Sequence, residues 1–210
     1  MTVCPTQTKP WILLISAPSG AGKTTLCDQL LRNNDCFERV ITCTTRNPRS
    51  GEHDGSDYHF LSHEIFTEQL KQGAFMEHAV VYDQLYGTRK ADIQAVLNKG
   101  KNPLLNLDVQ GAANLREQAS THPQARLVSV FLCPGSMDEL ERRLRGRQTE
   151  SESMITKRLE AARREIEQWG SFDYFLESSS REQDLQRLQA ITYAESMRTS
   201  GFSSPNALLH

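Results

Sequence analysis

No run of apolar residues in this chain approaches the ~20 needed to span a bilayer, so a helical membrane protein is not expected. The first nine residues, Met1 to Lys9, are polar and lack the apolar stretch of a secretory leader, so a cytoplasmic setting is expected. Cysteine is sparse: Cys4, Cys27, Cys36, Cys43 and Cys133 are odd in number, scattered and without a Cys-x-x-Cys pair. Neither a disulfide framework nor a zinc site is expected from them. The six histidines show no metal-ligand spacing; His53, His59, His63 and His78 fall in one region and read as surface residues. An excess of either charge is also missing. With 24 Lys+Arg against 26 Asp+Glu, the formal net charge is −2, which gives no reason to expect nucleic acid or a membrane surface as a partner. Internal repeats and low-complexity tracts are absent. The 210 residues, 38% hydrophobic and 24% charged, suit one globular core with inserted subdomains.

What is present begins at residue 11. The apolar run Trp11-Ile12-Leu13-Leu14-Ile15 reads as a strand, and Thr25-Leu26-Cys27-Asp28-Gln29-Leu30-Leu31 continues as a helix. Between them lies Ala17-Pro18-Ser19-Gly20-Ala21-Gly22-Lys23-Thr24. Strand, glycine turn, Gly-Lys-Thr and helix together are the context of a nucleotide phosphate-binding loop. Gly20 and Gly22 let main-chain N–H groups converge on an anion, and the helix N-terminus adds unpaired donors and a positive dipole end. Lys23 is placed to reach terminal phosphates, and the Thr24 hydroxyl to hold Mg²⁺. The consensus opens with Gly where this chain has Ala17.

Further strands are expected at residues 104–108, 126–132 and 174–176, and helices at 23–32, 90–99, 112–119, 137–144 and 154–169. This alternation predicts an α/β fold with a largely parallel sheet flanked by helices. Residues 43–88 differ, being richer in Gly, Thr, Tyr and charge, and read as an inserted unit of short strands with one helix near 62–72. An arginine-dense segment, residues 134–157, is a second insertion. The core is then expected at 1–42, 89–133 and 158–198, with a poorly ordered polar tail at 199–210.

Several further motifs follow in order: Thr44-Thr45-Arg46-Asn47-Pro48-Arg49-Ser50-Gly51-Glu52, Gly55-Ser56-Asp57-Tyr58-His59-Phe60, Phe75-Met76-Glu77-His78-Ala79, Tyr86-Gly87-Thr88, Leu107-Asp108-Val109-Gln110-Gly111-Ala112 and Arg143-Leu144-Arg145-Gly146-Arg147. With these, the chain closely resembles the bacterial guanylate kinases over about residues 11–194. The resemblance implies a P-loop NTPase-type core, a GMP-binding insert and a mobile lid. The implied reaction is ATP-dependent phosphorylation of GMP, and of dGMP, with Mg²⁺ accompanying ATP.

The resemblance assigns ATP to Ala17, Pro18, Ser19, Gly20, Ala21, Gly22, Lys23, Thr24 and Thr25, and the metal to Thr24 with the substrate phosphates. It assigns GMP to Thr42, Arg46, Arg49, Glu52, Tyr58, Glu77, Tyr86, Thr88 and Asp108. The chemistry agrees: Arg46 and Arg49 each offer a planar fork of donors to a phosphate, and Tyr58 and Tyr86 can each donate a hydroxyl. A carboxylate at Glu77 can accept both the N1–H and the 2-amino group of guanine, a pair that adenine lacks. Lys23, Arg143, Arg147 and Arg158 are the implied catalytic cations, because phosphoryl transfer is mostly positioning and charge neutralisation.

The chain departs from the family pattern at three further places. Gln148 follows Arg147 where the family has Gly, so the lid geometry is expected to differ. Asn106 replaces the first acid of the Leu-Asp-x-Asp strand, which is expected to weaken the metal site. Ser178-Ser179-Ser180 stands at the family's Asn-Asp near the donor base, so donor selectivity is expected to be loose. Two other readings compete: a non-catalytic guanylate-kinase-like interaction module, and a P-loop kinase with another small acceptor. Lys23, Thr24 and the lid arginines oppose the first, and Glu77 opposes the second. Oligomeric state is not legible in the sequence.

Overall fold

A computed structural model describes residues 9–81, 83–121, 125–146 and 152–201. In chain order the elements are β1 (Ile12–Ser16), α1 (Lys23–Asn33), β2 (Phe37–Arg39), β3 (Cys43–Thr44), β4 (His59–Phe60), α2 (His63–Lys71), β5 (Phe75–Val81), β6 (Gln84–Arg89), α3 (Lys90–Asn98), β7 (Asn102–Leu107), α4 (Val109–Thr121), β8 (Leu127–Cys133), α5 (Met137–Arg145), α6 (Glu152–Ile166), β9 (Tyr174–Glu177) and α7 (Arg181–Ser196). Short 3-10 turns occupy Trp169–Ser171 and Thr199–Gly201, and α6 stops at Ile166, three residues before its expected end. The rest of the expected tail, residues 202–210, lies outside the described residues.

Every residue of β1 is buried. A strand buried on both faces belongs inside a sheet covered on both sides. Its side chains alternate between those faces. Leu13 and Ile15 pack with Leu26, Cys27 and Leu30 of α1 and Leu188 of α7. Ile12 and Leu14 pack with Ile93 and Val96 of α3 and Ala112 and Leu115 of α4. Each such fully buried aliphatic side chain stabilises the fold by about 1.5–3 kcal/mol. Among the described residues, five strands form this sheet in the order β2-β7-β1-β8-β9, all parallel. The predicted α/β class is the observed one.

A second sheet, in the order β4-β3-β6-β5, joins β3 and β4 in parallel and the other pairs antiparallel. It has its own small core, in which Phe66 of α2 stacks on Phe75 of β5 with ring centroids 4.4 Å apart, beside Cys43. On the far side, α5 opens on Ser136, whose Oγ accepts from the Glu139 N–H at 3.1 Å. Leu140 and Leu144 of α5 are fully buried and pack on Ala162 of α6. They also press on the loop after β1: a Cβ at Gly20 would lie 3.0 Å from Leu144 and 3.1 Å from Leu140.

Register fixes where chemistry can occur. Ser16, the last residue of β1, is the partner of Leu107, the last of β7. The glycine turn and Asp108 therefore emerge side by side at the carboxyl edge of the parallel sheet, the edge where open α/β folds bind ligands. Asp108 lies just beyond its strand and caps α4, accepting from the Gly111 N–H at 2.7 Å. That cap starts α4 at Val109, three residues before the expected position.

Candidate active site

The loop between β1 and α1 is held open by glycine. Gly20 and Gly22 have φ of 92° and 105°, a left-handed conformation that side chains disfavour. Gly22 is the N-cap of α1 and has no side chain to cover the first N–H groups. The first turn, Lys23-Thr24-Thr25-Leu26, carries no acid to neutralise the positive end of the helix dipole. The Lys23 ammonium folds back over the loop and donates to the Ala17 carbonyl at 2.5 Å. Asn106, at the end of β7, donates from Nδ2 to Thr24 Oγ1 at 3.3 Å.

Loop and insert face each other across one cleft of about 220 Å³. Ala17, Ser19, Lys23 and Thr24 line one side, and Arg158 of α6 reaches in with Nη1 3.3 Å from Ser19 Oγ. Thr42, Arg46, Arg49, Tyr58, Glu77 and Tyr86 line the other, and Asp108 lines the cleft from the sheet edge beside the loop. Most of the expected acceptor residues therefore share one wall. Glu52 and Thr88 stand behind it and hold others in place. Both Glu52 carboxylate oxygens accept from Arg46 Nη2 at 2.9 Å, and one also accepts from the Arg49 N–H at 2.7 Å. Arg46 lies over the Tyr58 ring, with Cζ 5.4 Å from its centroid, and Tyr58 meets Tyr86 edge-on at 6.0 Å.

Glu77 is 3% exposed. The Thr88 hydroxyl donates to its Oε1 at 2.6 Å. Burial pushes its carboxyl up to about 7, the nearby Asp108 charge adds to that, and the Thr88 bonds oppose it. Gly111 leaves room for this carboxylate, since a Cβ there would lie 3.0 Å from Glu77 Oε2. Gly111 and Glu165 line the cleft without having been singled out as site residues in the sequence. The only signal for Gly111 was its place in the Asp-Val-Gln-Gly-Ala motif, and Glu165 had none.

Gly20, Ala21, Gly22, Thr25 and Arg143 line instead a second depression of about 370 Å³. There Arg143 Nη1 donates to the Ala21 carbonyl at 3.0 Å, and Nε to Glu139 at 2.8 Å. Ser178 and Ser179 reach the same depression, but both are turned to Asp184: Ser178 Oγ donates to it at 2.7 Å, and the Ser179 N–H at 2.8 Å. Arg147 and Gln148 lie outside the described residues.

A parallel sheet, a glycine turn leading into a Lys-Thr helix and a cleft that opposes it with arginines and tyrosines define a P-loop kinase. The model of the family "Guanylate kinase" matches residues 7–195. The chain is 39% identical over 196 residues to a guanylate kinase of Clostridioides difficile, covering 93% of each chain. It is 44% identical over 197 residues to a guanylate kinase of Anaeromyxobacter dehalogenans, covering 93% of this chain and 85% of that one. The crystal structure of guanylate kinase from Anaplasma phagocytophilum superposes with a TM-score of 0.77 at 30% identity, covering 97% of this chain and 95% of that one. The chain belongs to the guanylate kinase family, the ATP:GMP phosphotransferases.

Proposed function

We propose that the cleft transfers the terminal phosphoryl group of ATP to GMP or dGMP, with the roles divided by its two walls. The carrying observation is that Ala17, Ser19, Lys23 and Thr24 of the loop line one cleft together with Arg46, Tyr86 and Glu77. Arg46 and Arg49, with Tyr58 and Tyr86, take the acceptor phosphate. Buried Glu77 reads guanine by accepting from N1–H and the 2-amino group, and Thr88 fixes its direction. Both contacts are shared by dGMP. On the donor side, main-chain N–H groups of residues 20–25 and Lys23 take the phosphates of ATP. Arg158, and Arg143 and Arg147 of the 134–157 lid, supply positive charge as transfer proceeds, and lid closure excludes water as a rival acceptor.

Among the described residues, no group of three or more His, Cys, Asp or Glu side chains could hold a metal ion. The donor set that fits Mg²⁺ is therefore the Thr24 hydroxyl together with nucleotide phosphates and water. When bound, the ion neutralises phosphate charge. Asn106 supplies a neutral amide beside that hydroxyl. The buried Cys27 and Cys43 thiols, pushed up by burial to about 12 and about 11, are poor nucleophiles.

The test is GDP formation from GMP and ATP, with dGMP, AMP, UMP and CMP in parallel. GMP and dGMP should react and the other acceptors should be slower by orders of magnitude; no GDP, or faster turnover of AMP, overturns the reading. Gly111→Ala probes the guanine wall. Its methyl group crowds Glu77 Oε2, so KM for GMP should rise roughly tenfold while that for ATP stays put. The fold should hold, because Ala favours a helix over Gly by up to about 1 kcal/mol. Steady-state kinetics and a melting curve read both effects, and an unchanged KM for GMP would show that Gly111 is mere helix.

A further inference from the structure

We propose that Glu165 is a positioning residue for phosphoryl transfer: together with Arg158 it fastens Ser19, and through Ser19 the phosphate loop, to helix α6. The proposal rests on the kinase reading above and adds a residue to it.

Arg158 and Glu165 are seven residues apart on α6, two turns along one helical face. Both line the cleft, as does Ser19. Arg158 Nη1 approaches the Ser19 hydroxyl at 3.3 Å, and the Ser19 main-chain N–H lies against the Glu165 carboxylate. In the proposed clamp, one residue of the loop is held by its side chain and by its backbone from the same helix. The other charges that face Glu165 are Lys23 of α1, Asp108 at the end of β7 and Arg164 on its own helix. A solvated helix charge would not be half-buried in the cleft wall against the loop.

The consequence is mechanical. Helices α5 and α6 share the contacts of Leu140, Leu144 and Ala162, and α5 also presses on Gly20. A shift of the lid helices reaches the loop through Ser19 as well as through that packing. The loop must present its N–H groups to a phosphate within a fraction of an ångström, and a misplacement of about 1 Å can cost roughly 10²-fold in rate. The clamp needs a hydrogen-bond acceptor at residue 165, long enough to reach Ser19; it does not need a charge.

The experiment compares E165A, E165Q and E165D in the full chain. E165A should lower kcat roughly 10–100-fold and leave KM for GMP within about twofold. E165Q, whose amide oxygen still accepts from the Ser19 N–H, should recover most of kcat. E165D keeps the charge but stops one methylene short, and should be slow. Hydrogen exchange at the Ser19 amide reads the clamp without catalysis: faster in E165A and E165D, near wild type in E165Q. The proposal is overturned if E165A or E165D keeps wild-type kcat, if E165Q is as slow as E165A, or if Ser19 exchange is the same in all variants. A wild-type chain that makes no GDP would sink the kinase reading alone, because the exchange data would still decide the clamp.

Discussion

Lys23→Ala should lower kcat by roughly 10²–10³-fold and leave the melting temperature within a few degrees of wild type. The two halves of that result come from different parts of the structure. The Lys23 ammonium contributes little to the fold: it lies in the cleft, at the first turn of α1, outside both hydrophobic clusters of the parallel sheet. The bond that it donates to the Ala17 carbonyl is a net contribution of about 1 kcal/mol. For a domain of this size that corresponds to roughly 2–4 °C. In the transferring state the same ammonium is a fixed positive charge where negative charge develops, in a site with little water to replace it. A coupled assay for GDP and a thermal melt on the same samples decide the matter. Turnover above a tenth of wild type would remove Lys23 from the chemistry, and a collapse of the melt would make it a structural residue.

The parts of this fold that were legible in the sequence are those whose burial is apolar. β1 is a continuous apolar run ending at a glycine turn, and Leu26, Cys27 and Leu30 place one face of α1 against it. Two elements carry no such signal. β2 is Phe37-Glu38-Arg39, an edge strand held by pairing with Asn102, Pro103 and Leu104 rather than by a pattern of its own. The buried face of α7 is Asp184, Leu188, Thr192 and Glu195, so its stripe is mostly polar and looks solvent-facing in sequence. It survives burial because its acids are partnered: Asp184 by Ser178 and Ser179, Glu195 by Arg126 and Tyr174. The serines that replace the family's Asn-Asp thus serve the start of α7, with Ser180 as its N-cap.

The site divides in a similar way. Residues carried by short motifs and assigned through the family resemblance, such as Arg46, Tyr86 and Glu77, line the cleft together. Glu52 and Thr88 were expected to meet the acceptor; neither lines the cleft, and their contacts are to Arg46 and Glu77. Glu165 sits in the charged stretch Arg163-Arg164-Glu165, where nothing in the sequence separates it from its neighbours. Its distinction comes from the fold, which turns one face of α6 toward a loop about 145 residues earlier in the chain.

Glu77→Gln should raise KM for GMP by about 100-fold or more and leave KM for ATP within twofold. A carboxylate accepts from both guanine donors, whereas an amide accepts from one and sets its own N–H₂ against the other. Losing a hydrogen bond to a buried charged group costs about 1.5–3 kcal/mol, and the mismatched donor adds to that. The wild-type carboxyl titrates at about 7, raised chiefly by burial, and only its ionised form can accept both donors. KM for GMP should therefore fall as the pH rises from 6 to 8 in the wild type. The Gln variant shows only the ionisation of the GMP phosphate itself, near pH 6, and so isolates the contribution of Glu77. Stability moves the other way. Because the folded pKa lies above the ordinary 4.5, the stability tied to protonated Glu77 is whole below about pH 4.5 and is lost as the pH climbs through 7. The loss approaches about 3 kcal/mol, and Gln escapes it. Without nucleotide, E77Q should then gain several degrees of melting temperature over wild type on going from pH 5 to pH 8. A variant that lost GMP and ATP affinity equally, or a wild-type KM for GMP with the pH dependence of E77Q, would take guanine reading away from Glu77. A gain in stability together with a selective loss of GMP would instead mean that a destabilising buried charge is retained here because the base requires it.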